Sequence, residues 1–546
     1  MMKVSYFYWL IAFAAALASF PVSSSSSAIS PRPHIFYVIV DDFGWGNVGY
    51  HREEAEHPEV QTPTMDRLVK EGIELNRHYV HMMCTPSRAS FQTGRLPVHV
   101  ITQLAGPCDA NGAIPRNMTG IAAQLKKGGY ASHQVGKWDC GMATPHHTPQ
   151  GRGYDSSLNY FGHGNWMYSE LEWQGSFNHR PDIPEYGIVD LWDTAEPASH
   201  LNGTGYEELL FRQRMLDIIA DHDPSTPLFL QYDSKIAHYP LQAPLKYQEK
   251  FKFIADDNRR MYASMISFLD DQLQNITDAL KAKGMWENTL MILSSDNGGY
   301  VKNPLGACNK STVSSPDPSS DLGHGTSCFN GEAGASNFPL RGGKYSLFEG
   351  GIRVNAFASG GAIPKAVRGT KLNGIIHIAD WYGTLAALAG VNPEDEWAKT
   401  SGLPPIDSMN MWPMLSGENL TSPRESILVN KNLLIFKNWK YVRGNTTMIE
   451  AARGGPYYPN ITTSTDSIDA HTMKCPPQGC LFDLDADLFE QKEISLNHPD
   501  VVSKMRAKME EQSKSIFLVP HKDDPKCKEA AQQIYGNFYG PWKETE

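Results

Sequence analysis

Four short runs along the chain are apolar without alternation, and each ends in polar residues. "HIFYVIVDDFGWG" starts at His34 and closes on Asp41 and Asp42; "ASHQVGKW", weaker, closes on Lys137. "PLFLQYDSKIAH" leads to His238, and "TLMILSSDNGG" to Asp296 and Asn297. A run with no polar face belongs to a strand covered on both sides, as in a parallel sheet between helices. Helical patterns fill the gaps. "TPTMDRLVKEG" has Pro63 in its first turn, Met65, Leu68 and Val69 on one side and Gly72 as a stop. "RRMYASMISFLDDQLQNITDALKAKG" repeats Met261, Met265, Phe268, Leu269 and Leu273 on one face and ends at Gly284. The pattern predicts a doubly wound, mainly parallel α/β sheet flanked by helices over residues 33–390.

Beyond Val391 the pattern changes to Pro404-Pro405, Trp412-Pro413 and short strands such as "ESILVN" and "LLIFKNWKYV". This predicts a smaller C-terminal α+β domain over 391–546. The stretch 303–337 is rich in Gly, Ser, Pro and Asn and reads as a long surface loop at the mouth of a site. Residues 1–27 carry one lysine, then an apolar stretch, then small residues. They read as a signal peptide, with an uncleaved anchor as the rival; no later segment is long and apolar enough to span a bilayer. Seven N-x-[ST] sequons, at Asn117, Asn202, Asn275, Asn309, Asn419, Asn445 and Asn460, fit a glycoprotein of the secretory pathway, secreted or lysosomal. No membrane contact is expected after cleavage.

A net charge of −11 excludes a general footprint for nucleic acid, so an anionic ligand has to be met by local cations. Eight cysteines in an oxidising compartment should mostly pair, and Cys475 with Cys480 and Cys308 with Cys328 are the nearest local pairs. If Cys84 is reserved for chemistry, one thiol is left over. No CxxC pair suggests a zinc knot.

Ligands of open parallel sheets bind beyond the carboxyl ends of the strands. Singly, each residue there has an ordinary explanation: an acidic pair is usually a solvated turn, and Asp-Asn-Gly-Gly a turn signal. Four strand ends carrying such groups together is a different matter. Asp41, Asp42, Asp296 and Asn297 offer only oxygen ligands, which suits Ca²⁺ or Mg²⁺ better than zinc. Arg88, Lys137 and Lys344 supply the positive charge a small dianion requires.

The stretch "CTPSRASFQTGR", from Cys84 to Arg95, places a cysteine at the start of a helix with Pro86 in its first turn. The helix N-terminus is receptive to anions and favours a thiolate there. Arg88, one turn on, can fold back towards it.

This stretch resembles the signature of the type I sulfatases. "DDFGWG", "GKW", "HYPLQAP", "MILSSDNGG" and "LRGGKYSLFEGGIRV" extend the resemblance from about 33 to 390, and "LFDLDADLFEQKEISLNHPDVV" resembles the end of sulfatase C-terminal domains. "HYPLQAP" is most similar to the arylsulfatase B, or N-acetylgalactosamine-4-sulfatase, branch. The resemblance implies an alkaline-phosphatase-like fold and a sulfuric ester hydrolase acting on a sulfated glycan or a small aryl sulfate. It implies that a separate formylglycine-generating enzyme oxidises Cys84 to formylglycine, whose hydrate attacks sulfur and later expels sulfate. It further implies one Ca²⁺ held by Asp41, Asp42, Asp296, Asn297 and residue 84, with Arg88 holding the hydrate and the carboxylates. Lys137 and Lys344 would grip sulfate oxygens, and His238 would protonate the leaving alcohol. Pro86, Ser87 and Thr93 match positions that the modifying enzyme reads.

One position departs from the pattern. The family reads G-K-W-H, with a histidine that helps hold the hydrate; here "GKWDCG" puts Asp139 there. Asp139 as the base of the elimination, or His146 or His147 standing in, are the two ways to fill the role; a damaged enzyme is the third outcome. Two rival functions stand beside the sulfatase reading: a phosphohydrolase of the same superfamily, and a secreted homologue that only binds sulfated glycans.

Overall fold

The computed structural model describes residues 32–52, 58–165, 188–202, 204–239, 241–301, 310–313, 325–328, 334–450 and 471–544. Residues 1–27, expected as a signal peptide, lie outside the described residues.

The strand His34–Val40 shows why the apolar runs carry no polar face. Ile35, Tyr37 and Ile39 enter one core while Phe36, Val38 and Val40 enter another, so both faces are covered. Leu290 and Ile292, against Met291 and Leu293, divide the same way in Thr289–Ser295. The first core is closed by helices Cys84–Thr93, Ile121–Lys126 and Asp380–Leu388, through Phe91, Leu125 and Trp381. Helices Pro63–Lys70, Glu207–Asp221 and Asp257–Ala282 close the second through Leu68, Met215 and Met265. The two predicted helices are both present, and the Asp256 side chain caps the longer one through the Arg259 N–H.

All four polar-ended runs are neighbours in one ten-stranded mixed sheet. Its centre is parallel, with Thr289–Ser295, His34–Val40, Leu228–Ser234, Ala131–Lys137 and Ser156–Tyr160 side by side. Beyond the first of these, Ala356–Ser359 runs antiparallel. The parallel ends therefore open on one edge. Gly136 has φ 101°, and a Cβ there would meet the Asp233 carbonyl oxygen at 2.1 Å, so only glycine lets the chain come this close before Lys137.

A second, antiparallel sheet of Ser426–Asn430, Leu433–Phe436, Trp439–Val442 and Cys480–Asp483 forms the smaller C-terminal part. Helix Pro499–Ser513 packs on it with Val502, Met505 and Met509, and Tyr79, Leu96 and Phe348 of the larger part share that core. "LLIFKNWKYV" is not one strand but two, folded back at Lys437, which adopts φ 58°. The stretch read as a loop contains Lys310–Val313 paired with Gly325–Cys328, and the latter adds to Leu241–Gln242 just after His238.

Cys475 and Cys480 are joined as expected, and Cys108 joins Cys527 across a separation of 419 residues. The Cys308–Cys328 pairing lies outside the described side chains. Cys84 and Cys140 are buried free thiols.

Candidate active site

The strand ends, the helix Cys84–Thr93 with Cys84 and Arg88, and the loop that carries Lys344 bring the predicted residues into a single buried cluster. Asp41, Asp42, Arg88, Lys137, Asp139, His238, Asp296, Asn297 and Lys344 are all buried, as is Cys84. Lys137 Nζ lies 2.7 Å from Asp41 Oδ2, and Lys344 Nζ 2.7 Å from Asp42 Oδ1. The Asn297 amide donates to Asp42 Oδ1 at 2.7 Å. Arg88 does not fold back on Cys84; its Nε donates to Asp296 at 2.9 Å and its terminal nitrogen to Asp233 at 3.1 Å. Asp233 was missed in the sequence. Its signal was a carboxylate inside an otherwise apolar strand, a group that has to find a partner once buried.

Four oxygens of this cluster have no hydrogen-bond partner although buried: Asp41 Oδ1, Asp42 Oδ2, Asn297 Oδ1 and Asp139 Oδ2. The charge is also unbalanced. Five carboxylates, of Asp41, Asp42, Asp139, Asp233 and Asp296, outnumber the cations Arg88, Lys137, Lys344 and the nearby Lys235. Open oxygens and an excess of carboxylates fit a divalent cation, and the donors are of the hard type. His238 adds a nitrogen: a ring nitrogen of it and one oxygen each of Asp41 and Asp42 lie within 4.8 Å of one another.

The electrostatics follow from burial. Burial and the neighbouring Asp41 push Asp296 up to about 7, even against Arg88. Burial likewise raises Asp42, only partly offset by Lys344. Burial alone would discharge Lys137 and Lys344, yet the aspartates beside them win and hold both ammonium groups charged. Burial, reinforced by Lys344, Lys137 and Lys235, drives His238 well below its usual value, so its imidazole is neutral until an anion arrives. Its Nδ1 lies 2.6 Å from the Tyr239 carbonyl oxygen.

Cys84 corrects an expectation. The helix begins at Cys84 itself, yet the thiol is pushed far up, because loss of solvent outweighs the pull of Lys137 and Lys344. Burial therefore works against the thiolate that the helix N-terminus would favour.

The histidines proposed to replace the missing one do not reach the site. His147 caps its own turn with Thr144 and is packed against Gly112. A third histidine, His163, does reach it. Its Nδ1 is 2.9 Å from Asp139 Oδ1, and one ligand atom each of Cys84, Asp139 and His163 lie within 4.8 Å of one another. Nothing in the spacing of "YFGHG" marked it.

Three half-buried tyrosines stand beside the cluster. Tyr239 stacks on His238, and Tyr300 and Tyr345 lie edge to face at 5.9 Å with Lys344 near both rings.

A parallel-centred sheet with a buried acidic and cationic cluster at its carboxyl edge defines an alkaline-phosphatase-like α/β hydrolase. Within that class the chain belongs to the sulfatase family: the Sulfatase family model matches residues 33–391. It is a sulfuric ester hydrolase. Arylsulfatase J of Mus musculus is 31% identical over 549 residues, covering 96% of this chain and 82% of that protein. N-acetylgalactosamine-6-sulfatase of Homo sapiens is 29% identical over 457 residues, covering 81% and 74%. The crystal structure of Ps i-CgsB in complex with k-i-k-neocarrahexaose shares the fold, with a TM-score of 0.66 and 24% identity over 89% of this chain and 94% of that one. These matches span several sulfatase types and do not single out the arylsulfatase B branch.

Proposed function

We propose that the chain is a formylglycine-dependent sulfatase that removes sulfate from a glycan, with Asp41, Asp42, Asp296, Asn297 and residue 84 holding one Ca²⁺. The observation that carries this is the set of open buried oxygens beside residue 84, at the start of a helix and flanked by two charged lysines. A neutral buried thiol has no evident use there, whereas a hydrated aldehyde offers two hydroxyls: one to attack sulfur, the other to regenerate the aldehyde. The chemistry matches nucleophilic catalysis in two steps. Bound calcium supplies positive charge against the sulfate oxygens.

The residues of the chain divide the remaining work. Lys137 and Lys344 draw the sulfate oxygens and stabilise the charge that builds during transfer. Arg88 fixes Asp296, which takes the proton of the attacking hydroxyl. His238, neutral at rest, gains its proton as the sulfate brings negative charge next to it, and gives that proton to the leaving alcohol. The tyrosine faces offer flat apolar surfaces to a ring. The neocarrahexaose bound in Ps i-CgsB, and the N-acetylgalactosamine substrate named for the human relative, support a sugar there.

Maturation needs the formylglycine-generating enzyme and passage through the secretory pathway to the lysosome or the exterior. Two disulfides agree with that route. Among the sequons Asn202, Asn275, Asn419 and Asn445 are exposed and Asn117 half-buried; Asn309 and Asn460 lie outside the described residues. No helix among the described residues is long and apolar enough to cross a membrane. We keep the division into a catalytic part, 33–390, and a C-terminal part, 391–546, and placement in the arylsulfatase B branch, as parts of this reading.

Two measurements test it. The peptide containing residue 84, from protein made with the modifying enzyme, should carry formylglycine in its mass spectrum; cysteine alone in a protein that still turns over would end the mechanism. p-Nitrophenyl sulfate should be cleaved faster than p-nitrophenyl phosphate, and the reverse order would make the chain a phosphohydrolase.

A further inference from the structure

The position that departs from the family pattern is occupied by an unusually constrained carboxylate. Asp139 is fully buried and sits at φ 48°, a left-handed backbone that few side chains adopt. Its Oδ1 accepts from Thr85 Oγ1 at 2.9 Å and lies 2.9 Å from His163 Nδ1. Its Oδ2 has no hydrogen-bond partner; Lys137 Nζ stands 3.6 Å away. One oxygen is therefore fixed from two sides and the other is open, in a group whose ligand atoms share a space of 4.8 Å with the sulfur of residue 84. That sulfur stands where the aldehyde carbon's oxygens would be.

We propose that Asp139 Oδ2 is the acceptor for the release step, and that His163 is the positioning residue that, with Thr85, turns this oxygen towards residue 84. The proposal rests on the formylglycine reading. After transfer, residue 84 carries one sulfated oxygen and one hydroxyl. The hydroxyl O–H bond breaks and its electron pair forms the C=O bond. The bond from carbon to the sulfated oxygen breaks, and sulfate leaves with that pair. The proton passes to Asp139 Oδ2.

The charge state suits the role. Burial alone would neutralise Asp139, but His163 and Lys137 outweigh it and hold the carboxyl down to about 2. Such a carboxylate is a weak base, yet the proton it must take is on an oxygen turning into a protonated carbonyl, which is far more acidic than any carboxylic acid. An acceptor that is always ionised is then sufficient. The family's histidine does this with a neutral ring; here an aspartate does it because a second histidine, 24 residues further along the chain, anchors it.

The experiment uses full-length protein in which formylglycine at 84 has been verified, with p-nitrophenyl sulfate in single- and multiple-turnover mixing. Asp139→Asn should release one nitrophenol per subunit in a burst at near wild-type speed. It should then stall, with steady turnover down about 100-fold or more. The peptide with residue 84 should gain the mass of one SO₃ group. His163→Ala should lower kcat roughly 10- to 100-fold with KM little changed. His163→Asn, which keeps a donor at the Nδ1 position, should recover most of it. In the Asp139→Asn background the loss of His163 should change kcat by less than about twofold, because its effect runs through Asp139. Loss of the burst together with turnover would place Asp139 in the attack instead. Wild-type turnover in Asp139→Asn, or equal damage from His163→Ala and His163→Asn, would overturn the assignment. Failure of the formylglycine reading would show separately, as unmodified cysteine at 84 in the active wild-type protein.

Discussion

Two of the buried clusters of carboxylates and lysines among the described residues differ in kind, and one of them is the candidate active site. At the strand ends Asp296 is pushed up to about 7 by burial and Asp41. Beneath the C-terminal sheet Glu490 is pushed to about 7 by burial, partly offset by Lys440 and reinforced by Glu349. Both carboxyls end near 7, but the oxygens differ. Lys440 Nζ lies 3.0 Å from Glu349 Oε1 and 2.7 Å from Glu490 Oε1. Tyr79 donates to Glu349 Oε2 at 2.9 Å, and the Glu349 N–H donates to Glu490 Oε2 at 2.6 Å. Glu490 Oε1 makes no hydrogen bond but has Lys440 Nζ beside it, so every oxygen there has a donor or a cation of the protein within 3.0 Å, and the cluster ties the C-terminal sheet to the larger part. At the strand ends Asp41 Oδ1, Asp42 Oδ2, Asn297 Oδ1 and Asp139 Oδ2 have no hydrogen-bond partner, and the nearest cation to Asp139 Oδ2, Lys137 Nζ, is 3.6 Å away. A perturbed carboxylate is thus a poor guide by itself; oxygens with neither a hydrogen bond nor a close ion pair separate the site from the staple.

The largest effects should fall on opposite properties in the two clusters. Asp296→Ala removes a proposed calcium ligand while Asp233 still holds Arg88. Turnover should drop by about 10³-fold or more, with the thermal midpoint little changed. Lys440→Met leaves buried Glu490 without its cation and Glu349 with only Arg353, 3.8 Å away, at a cost of about 3–5 kcal/mol in chemical unfolding. The molecules still folded should turn over normally. If Lys440→Met abolished turnover in the folded fraction, or Asp296→Ala left it intact, the contrast between site and staple would fail.

Chelation sharpens the same contrast. Removing Ca²⁺ with EGTA should abolish turnover, lower the unfolding midpoint by linkage and be reversed by added Ca²⁺. Lys440→Met should lose as much on chelation as the wild type, whereas Asp296→Ala should barely respond.

The pH dependence of stability tests the staple through one carboxyl. The Glu490 carboxyl is raised in the folded state from 4.5 to about 7, so it favours folding below pH 4.5 and loses that contribution as pH rises to about 7. Glu490→Gln should therefore flatten denaturant stability between pH 4.5 and 7. Buried His78 and His81, lowered by burial to about 3, act with the opposite sign and cost stability as pH falls below 6.5. An unchanged slope in Glu490→Gln would remove the carboxyl from the account. The smallest effect belongs to the rim. Tyr345→Ala should raise KM for a sulfated oligosaccharide about two- to tenfold, the worth of one ring contact of about 0.5–1.5 kcal/mol, and leave kcat alone.

The strands, the helix that begins at Cys84 and the residues at the strand ends were legible in the sequence, because each depends on local order. Apolar runs without alternation require cover on both faces, and a parallel strand delivers its last residue to one edge wherever it sits in the chain. That is why Asp41, Lys137, His238 and Asp296 could be grouped without coordinates. The hairpin at Lys437 and the strands within 303–337 were not legible, since a single left-handed residue and a pairing with Leu241–Gln242 decide them.

The sequence by itself determined the sheet, its polar edge and the chemistry of the oxygen donors. Only the tertiary structure decided how charges are shared. It turned Arg88 towards Asp233 and Asp296 rather than Cys84, made the buried thiol neutral against the pull of the helix, and chose His163 over His146 and His147. The physical reason is that desolvation and pairing energies depend on what is packed around a group, and those neighbours come from distant parts of the chain.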